Sequence, residues 1–227
     1  MPQLKMVVLT ANYFTMGLDY STFSQLWRQF FLRQNFNISV TQTAGLSYDL
    51  GFWLNPRNYS RIALYGDQAL SKILTKHSRP VDIVTTPSGW FDAGNASGSE
   101  ATIKLGIAGA KAHNVNPGYL ENYKQNISYW EPLIDDLQRK NIDAAIVLLP
   151  TDVSYHGHLD KNKVKVMTRI LREFAVRHHI KFIDYTEDPR FSLKDYTATM
   201  PDHMNALGAK KFSKILDEDI IKTTKVD

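Results

Sequence analysis

The sequence Asp143-Ala-Ala-Ile-Val-Leu-Leu-Pro150 carries the strongest strand signal in this chain of 227 residues. Its apolar run is unbroken from Ala144 to Leu149. A strand with one face in water alternates apolar and polar residues, whereas continuous apolarity indicates that both faces are covered, as in a parallel sheet. The stretch therefore predicts a buried strand over Asp143–Leu149 that ends at Pro150.

Strands and helices alternate around this central strand. Short apolar runs predict two more strands, at Lys5–Thr10 and Lys181–Tyr185, and helical spacing predicts a helix at Val164–His178. Another helix is predicted over Leu120–Trp130, and Pro132 either breaks it or starts a second helical segment. This order predicts an α/β fold with three αβα layers and a mainly parallel sheet. The remaining predictions are a loop over Ala11–Asp19, helices over Ser21–Gln34 and from Asn58 to about Thr75, a strand over Val81–Thr86 and a Gly/Ser-rich loop over Ser88–Ser99.

Composition indicates one globular domain spanning residues 1–227, because the chain is long enough for one substantial core and short for two. Hydrophobic residues make up 43% and charged residues 22%. The net charge of +4 is spread along the chain, so we expect no nucleic-acid partner. The chain has no cysteine, which excludes disulfides and thiolate chemistry. The apolar run near Met1 is too short for a signal peptide or a membrane span.

The candidate reactive group is an imidazole on the loop Asp195–Asn205, just ahead of a predicted helix. Apolar residues recur at helical spacing from Ala206 onward, which makes Asn205 the predicted N-cap. His203 would then sit near the positive helix end, which favours the neutral ring that a general base needs. A surface histidine on a capped loop is the alternative interpretation.

The block Asp202-His-Met-Asn-Ala-Leu-Gly-Ala-Lys-Lys-Phe-Ser213 resembles the last conserved block of SGNH/GDSL-type hydrolases, most of all their envelope-associated branch. The resemblance implies an SGNH-like (flavodoxin-like) fold with His203 as the triad base. It places the acid three residues before the histidine, where this chain has Met200. It also places a strand and a Gly-x-Ser turn with the nucleophile ahead of Lys5, so we expect the domain to be N-terminally incomplete.

Two carboxylates are candidates for the missing acid. Asp202 is adjacent to His203 and belongs to the resembling block, but neighbouring side chains usually diverge. Asp195 can reach the imidazole only if the loop between them folds back. A triad base needs such an acceptor to hold its tautomer, and we favour Asp202 for that role.

The nucleophile has no clear sequence signal, because the chain lacks a Gly-x-Ser-x-Gly elbow. Ser47 and Ser88 are the serines in turn-like settings near glycine, and each also fits an ordinary loop serine. Asn122 resembles an asparagine of the family that donates to the oxyanion, although a polar residue at a helix start is the simpler explanation.

A different kind of site is suggested by His156 and His158, which follow the strongest strand between Asp152 and Asp160. Two histidines at this spacing point the same way on an extended backbone and can bind zinc. Gly157 loosens that geometry and no third ligand is dictated, so we expect a polar loop beside the cleft. We expect neither a metal ion nor a cofactor in the reaction.

The resemblance implies an ester hydrolase or O-acyltransferase that acts on acyl groups of cell-surface polysaccharide, in the cell envelope or outside the cytoplasm. Its partner would be an acylated carbohydrate or a small ester. The alternative is a non-catalytic SGNH-like module that binds a glycan or another partner. Aromatic residues can stack on sugars, although core packing explains most of them: Trp53, Trp90, Phe91 and Trp130.

Overall fold

The structure is a computed structural model that describes residues 4–18, 99–115 and 118–224, with side chains to residue 220. The chain divides into two units, and every described residue belongs to the unit formed by Met1–Leu18 and Val84–Asp227. The elements predicted between residues 21 and 98 lie outside the described residues. The single domain over 1–227 stays a prediction.

Three parallel strands form the sheet in this unit. Strand β1 spans Met6–Ala11, β2 spans Asp143–Leu148 and β3 spans Lys181–Asp184. The strand order is β1-β2-β3, with Val8 beside Ala145 and Ile146 beside Phe182. All three predicted strands in the described residues are confirmed, and the strongest strand signal belongs to the middle strand.

Seven α-helices connect or flank the strands in the described ranges, and a 3-10 helix spans Leu193–Asp195. The α-helices are α1 (Tyr13–Gly17), α2 (Glu100–Asn114), α3 (Tyr119–Ser128), α4 (Glu131–Arg139), α5 (Val153–His156), α6 (Lys161–Arg177) and α7 (Ala206–Thr224). The predicted helices at Leu120–Trp130 and Val164–His178 are confirmed as α3 and α6. Pro132 lies in the first turn of α4, so it starts a second helix. None of the helices in these ranges is long and apolar enough to cross a membrane.

The loop predicted over Ala11–Asp19 is partly wrong, because α1 occupies its centre. Asn12 caps that helix, and its side-chain oxygen accepts the Thr15 backbone N–H at 2.8 Å. Helix α2 was not predicted at all. It begins with a capping box in which Ser99 and Thr102 bond reciprocally.

The middle strand is covered on both faces, as its sequence predicted. Ile146 and Leu148 join a core cluster with residues of α1, α3, α4 and α6. Val147 faces the other way and packs with Tyr185 and with Phe212 of α7. Alternate side chains of a strand point to opposite faces, so this division requires helices on both sides of the sheet. The described unit is therefore an α/β structure with an open parallel sheet.

Candidate functional site

The loop that carries Asp202 and His203 is held in place by Asn205. The Asn205 side-chain oxygen accepts the Gly208 N–H at 2.9 Å, which confirms the predicted N-cap of α7. Its amide donates to the carbonyls of Lys194 at 2.7 Å and Tyr196 at 3.1 Å. Asn205 is only 1% exposed. One buried amide thus fixes both the helix start and the base of the preceding loop.

The same loop docks beside the carboxyl end of β2. The backbone N–H of Asp152, in the segment that follows β2, donates to the Pro201 carbonyl at 3.2 Å. Gly106 of α2 packs closely on Ser154 and Pro201, and a Cβ on Gly106 would clash with Ser154 Oγ. Ligands of open parallel sheets bind beyond the carboxyl ends of the strands. The loop therefore lies at the edge where such sites occur.

Asp202 and His203 form a carboxylate–imidazole dyad. His203 Nδ1 lies 3.1 Å from Asp202 Oδ1, and 62% of the His203 side chain is exposed against 19% of the Asp202 side chain. A proton on Nδ1 can be donated to the carboxylate, which leaves Nε2 as the acceptor. Within the described ranges, no residue hydrogen-bonds Nε2. An imidazole held in this way can exchange a proton with a bound molecule.

The dyad changes the acidity of both partners. The hydrogen bond to Asp202 raises the pKa of His203 above its usual value. Burial opposes ionisation of Asp202, but the hydrogen bond and charge of His203 bring its pKa below the usual range. The prediction that the helix end keeps the ring neutral was wrong in direction. The carboxylate contacts the ring directly, whereas the N–H of Gly208 at the helix start is already bonded to Asn205.

A second polar pair lies next to the dyad. His113 Nδ1 and the Tyr155 hydroxyl are 2.7 Å apart, and the His113 ring stacks on Phe14 with centroids 4.0 Å apart. Burial lowers the pKa of His113, and the charges of Asp202 and His203 also act on it. Burial and the nearby Asp202 raise the pKa of Tyr155. Sequence reasoning missed this pair, because His113 lies on the unpredicted helix α2 and belongs to no motif.

Asp195 is engaged away from the imidazole. Its carboxylate accepts the Ser192 N–H at 2.9 Å and the Lys211 ammonium at 3.0 Å, and its side chain is 7% exposed. Of the two candidate acids, the structure brings Asp202 and not Asp195 to His203. A catalytic role for either remains a prediction.

Asn122 also has a structural partner. It lies on α3, is 9% exposed, and its amide donates to the Gly17 carbonyl at 2.8 Å. The neighbouring Asn126 donates to the carbonyls of Met16 and Leu18 at 2.9 and 2.8 Å. These amides fix the end of α1. The candidate nucleophiles Ser47 and Ser88 lie outside the described residues.

The segment that carries His156 and His158 is not extended, so the condition under which both histidines would point the same way is not met. Asp152 caps the short helix α5, which ends at His156. His156 Nδ1 faces the Thr151 carbonyl at 3.0 Å, and His158 Nδ1 faces the Ser154 carbonyl at 3.0 Å. No group of three or more metal-binding side chains occurs among the residues that the structure describes.

The arrangement supports proton transfer at an open surface, with a second, more buried imidazole beside the first. No family model, curated protein or solved structure matches this chain.

Proposed function

We propose that this chain is an SGNH-like ester hydrolase or O-acyltransferase in which His203 is the base and Asp202 is the acid that orients it. The observation that carries the proposal is the exposed His203 ring, whose Nδ1 lies 3.1 Å from Asp202 at the carboxyl edge of a parallel sheet. A general base needs this combination of access and a fixed tautomer.

Asp202 takes the place of the carboxylate that the family pattern puts three residues before the histidine. That position is Met200, which is 46% exposed. The His203 N–H bonds to the Met200 carbonyl at 2.8 Å, and this turn supports the contact between two adjacent side chains. The departure from the family pattern therefore does not leave the imidazole without an acceptor.

In the proposed reaction a hydroxyl attacks the acyl carbonyl while His203 Nε2 takes its proton. The new C–O bond forms as the carbonyl electron pair moves to oxygen, and an oxyanion results. The pair then returns, the ester C–O bond breaks, and the imidazolium gives the proton to the departing alcohol. Water or an acceptor hydroxyl repeats the sequence on the acyl group. Ser47 and Ser88 remain the sequence candidates for the first hydroxyl.

The substrate class proposed is an acylated cell-surface polysaccharide, and its support is the resemblance of the block Asp202–Ser213. The alternative, a glycan-binding or partner-binding module without turnover, shares the fold and the aromatic residues. Catalysis by His203 distinguishes the two.

The test is hydrolysis of 4-nitrophenyl acetate and of an acetylated polysaccharide by the wild type, His203→Ala and a control histidine variant. Exposed imidazoles hydrolyse activated esters weakly, so the control must remove another exposed ring. His179 is a suitable control because it is exposed. Its φ of 54° lies in the left-handed region, which asparagine tolerates, so we use His179→Asn. We expect His203→Ala to lose roughly 10²- to 10⁴-fold in rate and His179→Asn to keep the wild-type rate. Equal rates in wild type and His203→Ala would support the binding module.

A further inference from the structure

The proposed reaction needs a hydrogen-bond donor for the oxyanion. Asn122, the donor that the sequence suggested, already has a hydrogen-bond partner. Asn122 directs its amide to the Gly17 carbonyl at 2.8 Å. Stabilisation of the oxyanion is commonly a large part of acyl-transfer catalysis. The donor must therefore lie nearer to the dyad.

The contact between His113 and Tyr155 fixes where the hydrogen of the His113 ring lies. Tyr155 is 3% exposed, and in the described parts of the chain its hydroxyl has one hydrogen-bond partner, His113 Nδ1 at 2.7 Å. If Nδ1 carried the hydrogen, the buried hydroxyl would accept and leave its own hydrogen unpaired. Buried polar groups are rarely left unpaired. Tyr155 therefore donates to Nδ1, and the ring hydrogen lies on Nε2.

The ring is also held in orientation. Phe14 stacks on it with an interplanar angle of 23°, and the Tyr155 ring meets it edge-on at a centroid distance of 5.6 Å. No described residue hydrogen-bonds Nε2.

Gly106, about two helical turns before His113 on α2, packs against Pro201. Pro201 precedes Asp202 in the chain, so this face of α2 lies against the loop that carries the dyad. The charges of Asp202 and His203 also act on His113.

We propose that the Nε2–H of His113, oriented by Tyr155 and Phe14, donates a hydrogen bond to the acyl oxyanion formed beside His203. This role rests on the proposed function and adds a catalytic residue to it. Burial lowers the pKa of His113, so the ring stays a neutral donor while its neighbour His203 carries the moving proton. Two imidazoles in different surroundings can in this way perform different roles in one site.

Kinetics of three variants test the role. His113→Leu removes the donor, and we expect kcat to fall about 100- to 1,000-fold with KM nearly unchanged, because the bond strengthens only in the transition state. His113→Gln keeps an N–H donor and should recover at least part of that loss. His158→Gln is the control, because His158 is an exposed residue whose ring, within the described ranges, hydrogen-bonds only the Ser154 carbonyl. The assignment is overturned if His113→Leu changes KM alone, or if His113→Gln recovers none of the lost kcat.

A second measurement does not depend on turnover. The ¹⁵N chemical shifts of His113 should show a protonated Nε2 and an accepting Nδ1 in the wild type, and Tyr155→Phe should abolish this preference. Titration with acetate, the product of an acetyl ester, should shift the Nε2 signal. The opposite tautomer or an unmoved signal overturns the proposal. Should the tautomer and the acetate response appear in a protein without esterase activity, the anion donor stands and the proposed acyl chemistry fails.

Discussion

Asp195 and Asp202 lie on one loop, yet their surroundings are opposite. The Asp195 carboxylate is buried and bonded to Ser192 and to Lys211. The Asp202 carboxylate bonds to an imidazole that is 62% exposed. A carboxylate whose oxygen atoms accept hydrogen bonds from fixed donors stabilises the fold. A carboxylate that is bonded to an exposed imidazole can change the pKa of that imidazole. The two carboxylates therefore differ in their hydrogen-bond partners although they lie on the same loop.

Asp195 belongs to a set of bonded residues that we call the Asp195 network, which consists of Asp195, Lys211, Arg190 and Asp188. The Lys211 ammonium donates to the Arg190 carbonyl at 2.5 Å as well as to Asp195. The Arg190 guanidinium bonds both oxygens of Asp188 at 2.9 Å, and this contact lowers the pKa of Asp188. The network joins the segment after β3 to α7, so its members hold the scaffold of the loop.

The largest contrast is expected when each carboxylate is neutralised and activity is measured. Asp202→Asn should lower kcat roughly 10²- to 10⁴-fold, because the amide no longer favours the tautomer with an accepting Nε2. Asp195→Asn should leave the activity of the folded protein within a few-fold of wild type. The check is ester turnover at matched folded concentration. An equal loss in both variants would abolish the distinction between the two carboxylates.

Two glycine replacements test how tightly the Asp195 region is packed. A Cβ on Gly208 would clash with the Asp195 carbonyl, so Gly208→Ala should lower the free energy of unfolding by about 1–3 kcal/mol. Gly109 is the matched control on helix α2, where a Cβ would meet the Tyr155 ring at an ordinary 3.8 Å. Gly109→Ala should raise stability by roughly 0.5–1 kcal/mol through helix propensity. Urea denaturation measures both, and a destabilised Gly109→Ala with an unaffected Gly208→Ala would reverse the expectation.

Stability should depend on the Asp195 carboxylate more than on an exposed carboxylate of α7. Asp195→Asn should lower the free energy of unfolding by about 1–3 kcal/mol, because it weakens buried charge-assisted bonds to Ser192 and Lys211. Asp217→Asn, an exposed change on α7, should stay within about 0.5 kcal/mol of wild type. Thermal and urea unfolding supply the values. A stable Asp195→Asn would show that the network is dispensable.

The smallest effect expected is a displacement of the pH profile. The pKa of His203 is raised by Asp202, so the fraction of neutral ring and the rate should rise with pH through a value above 6.5. In Asp202→Asn the residual rate should rise at lower pH, because the partner that favours the charged ring is gone. For folding the sign is opposite: the contribution of protonated His203 is present below pH 6.5 and is lost as pH rises through the folded pKa. If the pH profile of Asp202→Asn is the same as that of the wild type, Asp202 does not affect the pKa of the group that controls the rate.

Several elements could be predicted because their signals are local. The unbroken apolar run of β2 predicted a strand covered on both faces, and Asn205 predicted the start of α7. Helix α2 was missed because its glycines and alanines, such as Gly106 and Ala110, give little contrast between a buried and an exposed face. Helix α1 was missed because one turn is too short to show a period.

The sequence by itself determined the strands, the helix start at Asn205 and the candidate imidazole, because apolar periodicity and capping depend on residues close together in the chain. Only the tertiary structure decided that Asp202 contacts the ring, that Lys211 engages Asp195 and that His113 meets Tyr155. Such contacts depend on loop geometry and on helices packed from distant parts of the chain. The hydrogen bond to Asp202 raises the pKa of His203 and burial lowers that of His113, whereas local sequence had predicted the opposite direction for His203.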